Sequence, residues 1–149
     1  LQYYLNYFAS HKREFNKYNI IYIACHGWHH AISLEGEDGH IDLCELKTMA
    51  NGFFENRIIH FGSCKTLANP DEAKRFKADC GARLVSGYEI SVDAMTSAIA
   101  DAAFFNEIMN YQNIGIFKNE TTCLFWKKYE SLLKELKTFL HIHDHSITI

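Results

Sequence analysis

An α/β fold, with a mostly parallel sheet and helices on both of its faces, is what the sequence predicts, on three observations. The runs Ile20–Cys25, Ile58–Phe61 and Ala82–Gly87 are too short for helices and largely apolar on both alternations, which suits strands covered on two sides. Longer stretches between and after them carry apolar residues at helical spacing. Strands that alternate with helices build a parallel sheet, because the helices supply the crossovers. At 149 residues, one domain spanning 1–149 is the expectation.

Each element has its own warrant. Leu1, Tyr4, Leu5, Phe8 and Phe15 predict an amphipathic helix running to about Lys17, with Asn19 as punctuation. Ile20–Cys25 then reads as a central strand. Apolar residues alternate on either side of Glu37-Asp38-Gly39, predicting a β-hairpin with Asp38-Gly39 in its turn. Asp42 caps a short helix to about Ala50, closed by Asn51-Gly52. After the second strand, Asn69-Pro70-Asp71-Glu72 opens a helix: Asn as N-cap, Pro in the first turn, acids at the positive end. Ala73, Phe76 and Cys80 form its inner face, and Gly81 ends it. Ser91 to about Asn110 is a long helix with the stripe Met95, Ile99, Ala102, Phe105, Met109. Thr121–Leu140 is a last helix, and the tail 141–149 alternates at period two like an edge strand.

Composition narrows the function classes. Nearly half of the residues are apolar, enough for a substantial core, and the net charge is only -3 with mixed signs. Nothing points to nucleic acid or an anionic membrane surface as a partner. Five cysteines, an odd number with no C-x-x-C pair, argue against a disulfide framework or a zinc ribbon and for a reducing, cytoplasmic location. No apolar run approaches the roughly 18 residues of a membrane span, and no signal peptide is recognisable. Leu1 already lies inside a helical pattern, so the chain is expected to be a piece of a longer one.

The chemistry gathers at two strand ends. Ile20–Cys25 runs into His26-Gly27, and Ile58–Phe61 runs into Gly62-Ser63-Cys64. A thiol attacks as its thiolate, so it needs a base, and a neighbouring imidazole fills that role and later protonates a leaving amine. The tetrahedral intermediate needs N–H donors, for which Gly27 and Cys64 are the natural candidates. The plain alternative is a buried structural thiol at a strand end.

Five stretches stand in order: Ala24-Cys25-His26-Gly27, Leu34-Glu35-Gly36-Glu37-Asp38-Gly39, Phe61-Gly62-Ser63-Cys64-Lys65-Thr66, Gly81-Ala82-Arg83-Leu84-Val85, and Ser91-Val92-Asp93-Ala94-Met95-Thr96. Together they resemble the CHAT family of caspase-like cysteine peptidases, over about Ile20 to Met109. The resemblance implies a caspase-like three-layer sandwich, a His26–Cys64 dyad, an oxyanion hole lined by Gly27 and Cys64, and peptide-bond hydrolysis without metal or other cofactor. It also implies that the segment after the third strand shapes the pocket for the residue preceding the scissile bond. Glu89 and Asp93 lie there, and an acidic pocket favours Arg or Lys in the substrate. The structural alternatives are a helix N-cap for Asp93 and a solvated loop position for Glu89. Relatives often carry Trp in this turn, where this chain has Tyr88-Glu89-Ile90. The family fold also has further strands before the opening helix, here absent or in another part of a longer chain.

The implied protein is an intracellular endopeptidase acting on a protein or peptide substrate in a regulated system of the bacterial-defence or cell-death type. A regulatory partner or a further domain of the same chain would control it. The alternative is a non-catalytic caspase-like scaffold that binds a partner protein through the same sheet edge.

Cys25 is expected to point to the opposite face from His26 and pack. Cys44, Cys80 and Cys123 are expected to be core or half-buried helix residues. His29 and His30 read as a solvated loop beside the site, and His60 as a buried, hydrogen-bonded histidine. His141, His143 and His145 share one face of a period-two tail and form a rival, metal-binding constellation.

Overall fold

In a computed structural model describing residues 1–34, 39–110 and 147–148, the elements follow in the order α1 (Gln2–Ser10), α2 (Lys12–Phe15), β1 (Ile20–Ala24), β2 (His26–Trp28), β3 (Ala31–Ser33), β4 (His40–Asp42), α3 (Leu43–Ala50), β5 (Ile58–Gly62), α4 (Pro70–Cys80), β6 (Leu84–Tyr88), α5 (Ala94–Met109) and β7 (Ile147–Thr148). The chain forms two compact units, Leu1–Ser91 with Ser146–Ile149, and Val92–His145.

The first unit is α/β. Its main sheet has the order β1-β5-β6-β7. β1 and β5 are parallel, from Ile20 opposite Ile58 to Ala24 opposite Gly62. β5 and β6 are parallel as well, with His60 opposite Ser86. β7 closes the far side antiparallel, Gly87 opposite Thr148. The expected edge strand in the tail is therefore present at 147–148; the remainder of the tail, the 121–140 helix and Cys123 lie outside the described residues.

Alternation along the strands sorts the two faces. Ile59, Phe61 and Val85 join Leu5 and Ala9 of α1, Leu46 and Ala50 of α3, and Ala73 and Phe76 of α4 in one apolar core. Burying each of the Val, Leu, Ile and Phe side chains contributes about 1.5–3 kcal/mol. The opposite face carries Tyr22, His60 and Ser86, and His60 Nδ1 lies 2.8 Å from Ser86 Oγ. The buried, hydrogen-bonded histidine expected at position 60 is what the structure contains. Among the described residues of this unit α1, α3 and α4 all serve one face of the sheet.

Capping explains where the crossover helices begin and stop. Asp42 accepts the Glu45 N–H at the start of α3. Asn69 Oδ1 accepts the Asp71 N–H at 3.0 Å, with Pro70 in the first turn of α4. Gly81 ends that helix in the left-handed conformation at φ 66°, where a side chain would be strained.

Two expectations need correction. The opening helix is broken at His11 (φ -105°, ψ 40°), so it is two helices. β1, read as a central strand, has only β5 beside it among the described residues, and Tyr22 is 48% exposed. Apolar character on both alternations reported its hydrophobicity but not the number of its neighbours. Residues 26–28, which carry no strand prediction of their own beyond the His26-Gly27 strand end, form β2 in a separate antiparallel sheet of order β2-β3-β4. Its hairpin pairs Ala31 with Asp42 and Ser33 with His40, as the alternation predicted. Residues 35–38 of the turn lie outside the described residues.

The described part of the second unit is α5. Asp93 caps it, Oδ1 accepting the N–H groups of Met95 and Thr96 at 3.0 Å each. The expected inner stripe is wrong here too. Met95 and Met109 are 70% and 75% exposed, while Asp101, Phe104, Glu107 and Ile108 are buried.

Candidate active site

β1 and β5 end side by side, so the residues that follow them stay in register. Cys25 continues β1 and Ser63 continues β5. The Cys25 thiol is hydrogen-bonded to Ser63, and burial pushes the thiol's pKa up against that bond. Cys25 also packs on the core, as expected from the sequence. His26 and Cys64 come one residue later on each chain. His26 is exposed and Cys64, in the turn after β5, is half-buried.

The next residue brings the two chains into contact. A Cβ on Gly27 would overlap the Cys64 carbonyl oxygen, and would stand 2.6 Å from Thr66 Oγ1. Only glycine fits here, so the backbone beside His26 lies directly on the backbone of Cys64. A buried hydroxyl pair holds the contact from behind: Ser63 Oγ and Thr66 Oγ1 are 2.7 Å apart, and Thr66 reaches the Ala31 carbonyl at 3.4 Å. The turn of the β2–β3 hairpin adds a main-chain bond, His30 N–H to the Lys65 carbonyl at 3.3 Å. Both partners are in the left-handed region, at φ 64° and φ 57°. β6 fixes the same loop from the other side, Lys65 N–H donating to Ile90 and Leu67 N–H to Tyr88.

His26, Gly27 and Cys64 are thus brought to one place by the ends of β1 and β5 and the start of β2. Glu89 is half-buried and follows β6, between the two carbonyls that hold the Cys64 loop. Asp93 belongs to the second unit, where its carboxylate serves as the α5 N-cap; the N–H of Thr96, the largest influence, holds its pKa below the usual carboxylate range. His29 is exposed. His30 is half-buried, its Nδ1 standing 3.8 Å from Glu72 Oε2. These two form a turn docked on the Cys64 loop, not a free loop. Cys80 is buried as expected, but Cys44, placed in or near the core from its helix, is exposed. The hydroxyls of Ser63 and Thr66 were not singled out from the sequence. The signal was available in the register, since Ser63 is to β5 what Cys25 is to β1.

A groove of about 400 Å³ opens between α3 and α4, lined by His30, Lys47, Glu72, Arg75 and Phe76 among others; neither His26 nor Cys64 lines it. Among the described residues no three His, Cys, Asp or Glu side chains are grouped to hold a metal ion. His141, His143 and His145 lie outside the described residues. No described helix is long and apolar enough to cross a membrane.

These features define an α/β protein with a histidine and a cysteine at the ends of neighbouring parallel strands. The chain belongs to DUF6642, a family of unknown function, whose model matches residues 1–141. No curated protein matches it. No solved structure does either.

Proposed function

We propose that this chain is a caspase-like cysteine endopeptidase with Cys64 as nucleophile and His26 as acid–base partner. His26 takes the Cys64 proton, and the thiolate adds to the carbonyl carbon of a peptide bond. The N–H groups of Gly27 and Cys64 stabilise the oxyanion. The imidazolium then protonates the leaving amine, and water hydrolyses the resulting thioester. In this reading the main sheet is the core of a caspase-like sandwich. Glu89 favours a basic residue before the cut. The enzyme works in the cytoplasm on a protein target, in a defence or cell-death type system governed by a partner or a further domain.

The observation that carries the reading is the backbone contact between Gly27 and Cys64, beside the Cys25–Ser63 bond. It supports the reading by bringing the backbone next to His26 against the backbone of Cys64.

Selective alkylation tests it. At neutral pH iodoacetamide should label Cys64 well ahead of the other thiols, with Cys25 slow because its thiol is half-buried and its pKa raised. His26→Ala should slow that labelling and lower hydrolysis of Arg-containing peptides by roughly 10²–10⁴-fold. Even labelling of all the thiols, unchanged by His26→Ala, would favour the non-catalytic scaffold.

A further inference from the structure

Trp28 is held in place without being buried. It is 53% exposed. The His40 ring lies parallel to the indole at 6.0 Å and 8°, and the His29 ring stands edge-on at 5.4 Å and 87°. Lys65 Nζ is 5.8 Å from the ring centroid. His40 is itself fixed, its Nδ1 2.5 Å from Ser33 Oγ. An indole ordered by its neighbours yet open to solvent adds little to a core, and it loses little conformational freedom when something stacks on it.

Its position relates it to the dyad. In β2, His26 and Trp28 are exposed and Gly27 between them faces the Cys64 carbonyl. Strand residues two apart share a face and are about 6.6 Å apart. An extended peptide has the same repeat. A substrate lying along β2 with its reacting carbonyl at the dyad therefore sets on the indole a side chain two positions from the residue being cut.

We propose that Trp28 is a specificity platform for an aromatic or branched apolar side chain, two positions before or after the residue whose carbonyl is attacked. The Lys65 ammonium over the ring disfavours a second cation there, which separates this position from the basic residue assigned to the cut. The platform rests on the peptidase reading for its meaning, but its test does not need turnover.

The probe is a set of fluorescent hexapeptides with one fixed Arg and Phe, Leu, Ala or Lys two positions before or after it. Binding is read by anisotropy on the inert Cys64→Ala chain. Phe or Leu at one of the two positions should bind about tenfold tighter than Ala, and Lys no tighter than Ala. Trp28→Ala in that background should erase the preference, and Trp28→Phe should keep part of it. A preference that survives Trp28→Ala, or no aromatic preference at all, overturns the platform. If the preference is present but Cys64 is alkylated no faster than the other thiols and His26→Ala changes nothing, the peptidase reading fails and the platform stands. If the chain with Cys64 intact cuts these peptides and Trp28→Ala leaves the selectivity unchanged, the platform fails and the peptidase reading stands.

Discussion

Gly27 is glycine for want of room, not for want of conformational freedom: its φ is not in the left-handed region, and what a side chain would meet is the main chain of Cys64. Main chain held on both sides by hydrogen bonds cannot step aside as a flexible side-chain tip would. Gly27→Ala should therefore cost about 1–3 kcal/mol, the range for forcing extra carbon into a packed site, and toward its upper end. The cost should show in a urea midpoint, together with slower alkylation of Cys64 as the two strand ends are pushed apart. An alanine variant with unchanged midpoint and unchanged thiol reactivity would mean that the Gly27 and Cys64 segments do not touch in solution. Thr66 belongs to the same contact, since it fills the space under Gly27 and ties Ser63 to Ala31.

Among the elements, those whose ends are written in side-chain chemistry were legible in the sequence. Asn69-Pro70 and Gly81 bound α4, and Asp42 starts α3, because caps act through residues next to them in the chain. β5 and β6 were legible because short, largely apolar runs bury on both faces. The candidate site was legible as two strand ends, but not the way they are fastened. That depends on Ser63, Thr66 and the pairing of β2 with β3, contacts between residues far apart in the chain. α5 shows where periodicity fails. Alanine, methionine, isoleucine and phenylalanine surround most of its circumference, but the buried face includes Asp101 and Glu107, which apolar spacing does not select, and Met95 and Met109 lie on the exposed side. The two faces can be told apart by mutation. Phe104→Ala, at a fully buried position, should cost about 3–5 kcal/mol. Met95→Lys and Met109→Lys should stay within about 0.5 kcal/mol of the parent. The reverse pattern in thermal or urea unfolding would restore the original stripe.

At the scale of the whole molecule, these shifts give its stability an acid limb and an alkaline limb with different owners. Burial raises the thiol pKa of Cys25 and Cys80, both in the first unit, so the fold prefers them neutral. A raised pKa gives stability that is complete below the unfolded thiol value, about 8.5, and is lost as pH climbs toward the folded one. Asp93, in the second unit, has a lowered pKa because the α5 N–H groups bind its ionised form. Its contribution is complete above the unfolded carboxylate value, about 3.9, and is lost as pH falls through the folded one. Conservative variants should remove one limb at a time. Asp93→Asn keeps an acceptor oxygen for the cap and removes the titration. The gap in stability between the parent and Asp93→Asn should thus be present at neutral pH and close as pH drops below about 4. The alkaline decline should be the same in both chains. Cys25→Ala with Cys80→Ala should flatten the decline above about pH 8.5 and leave the acid behaviour alone. Urea midpoints across pH 3–10 read both limbs. An alkaline decline that survives the double alanine variant would mean that these two thiols do not carry it.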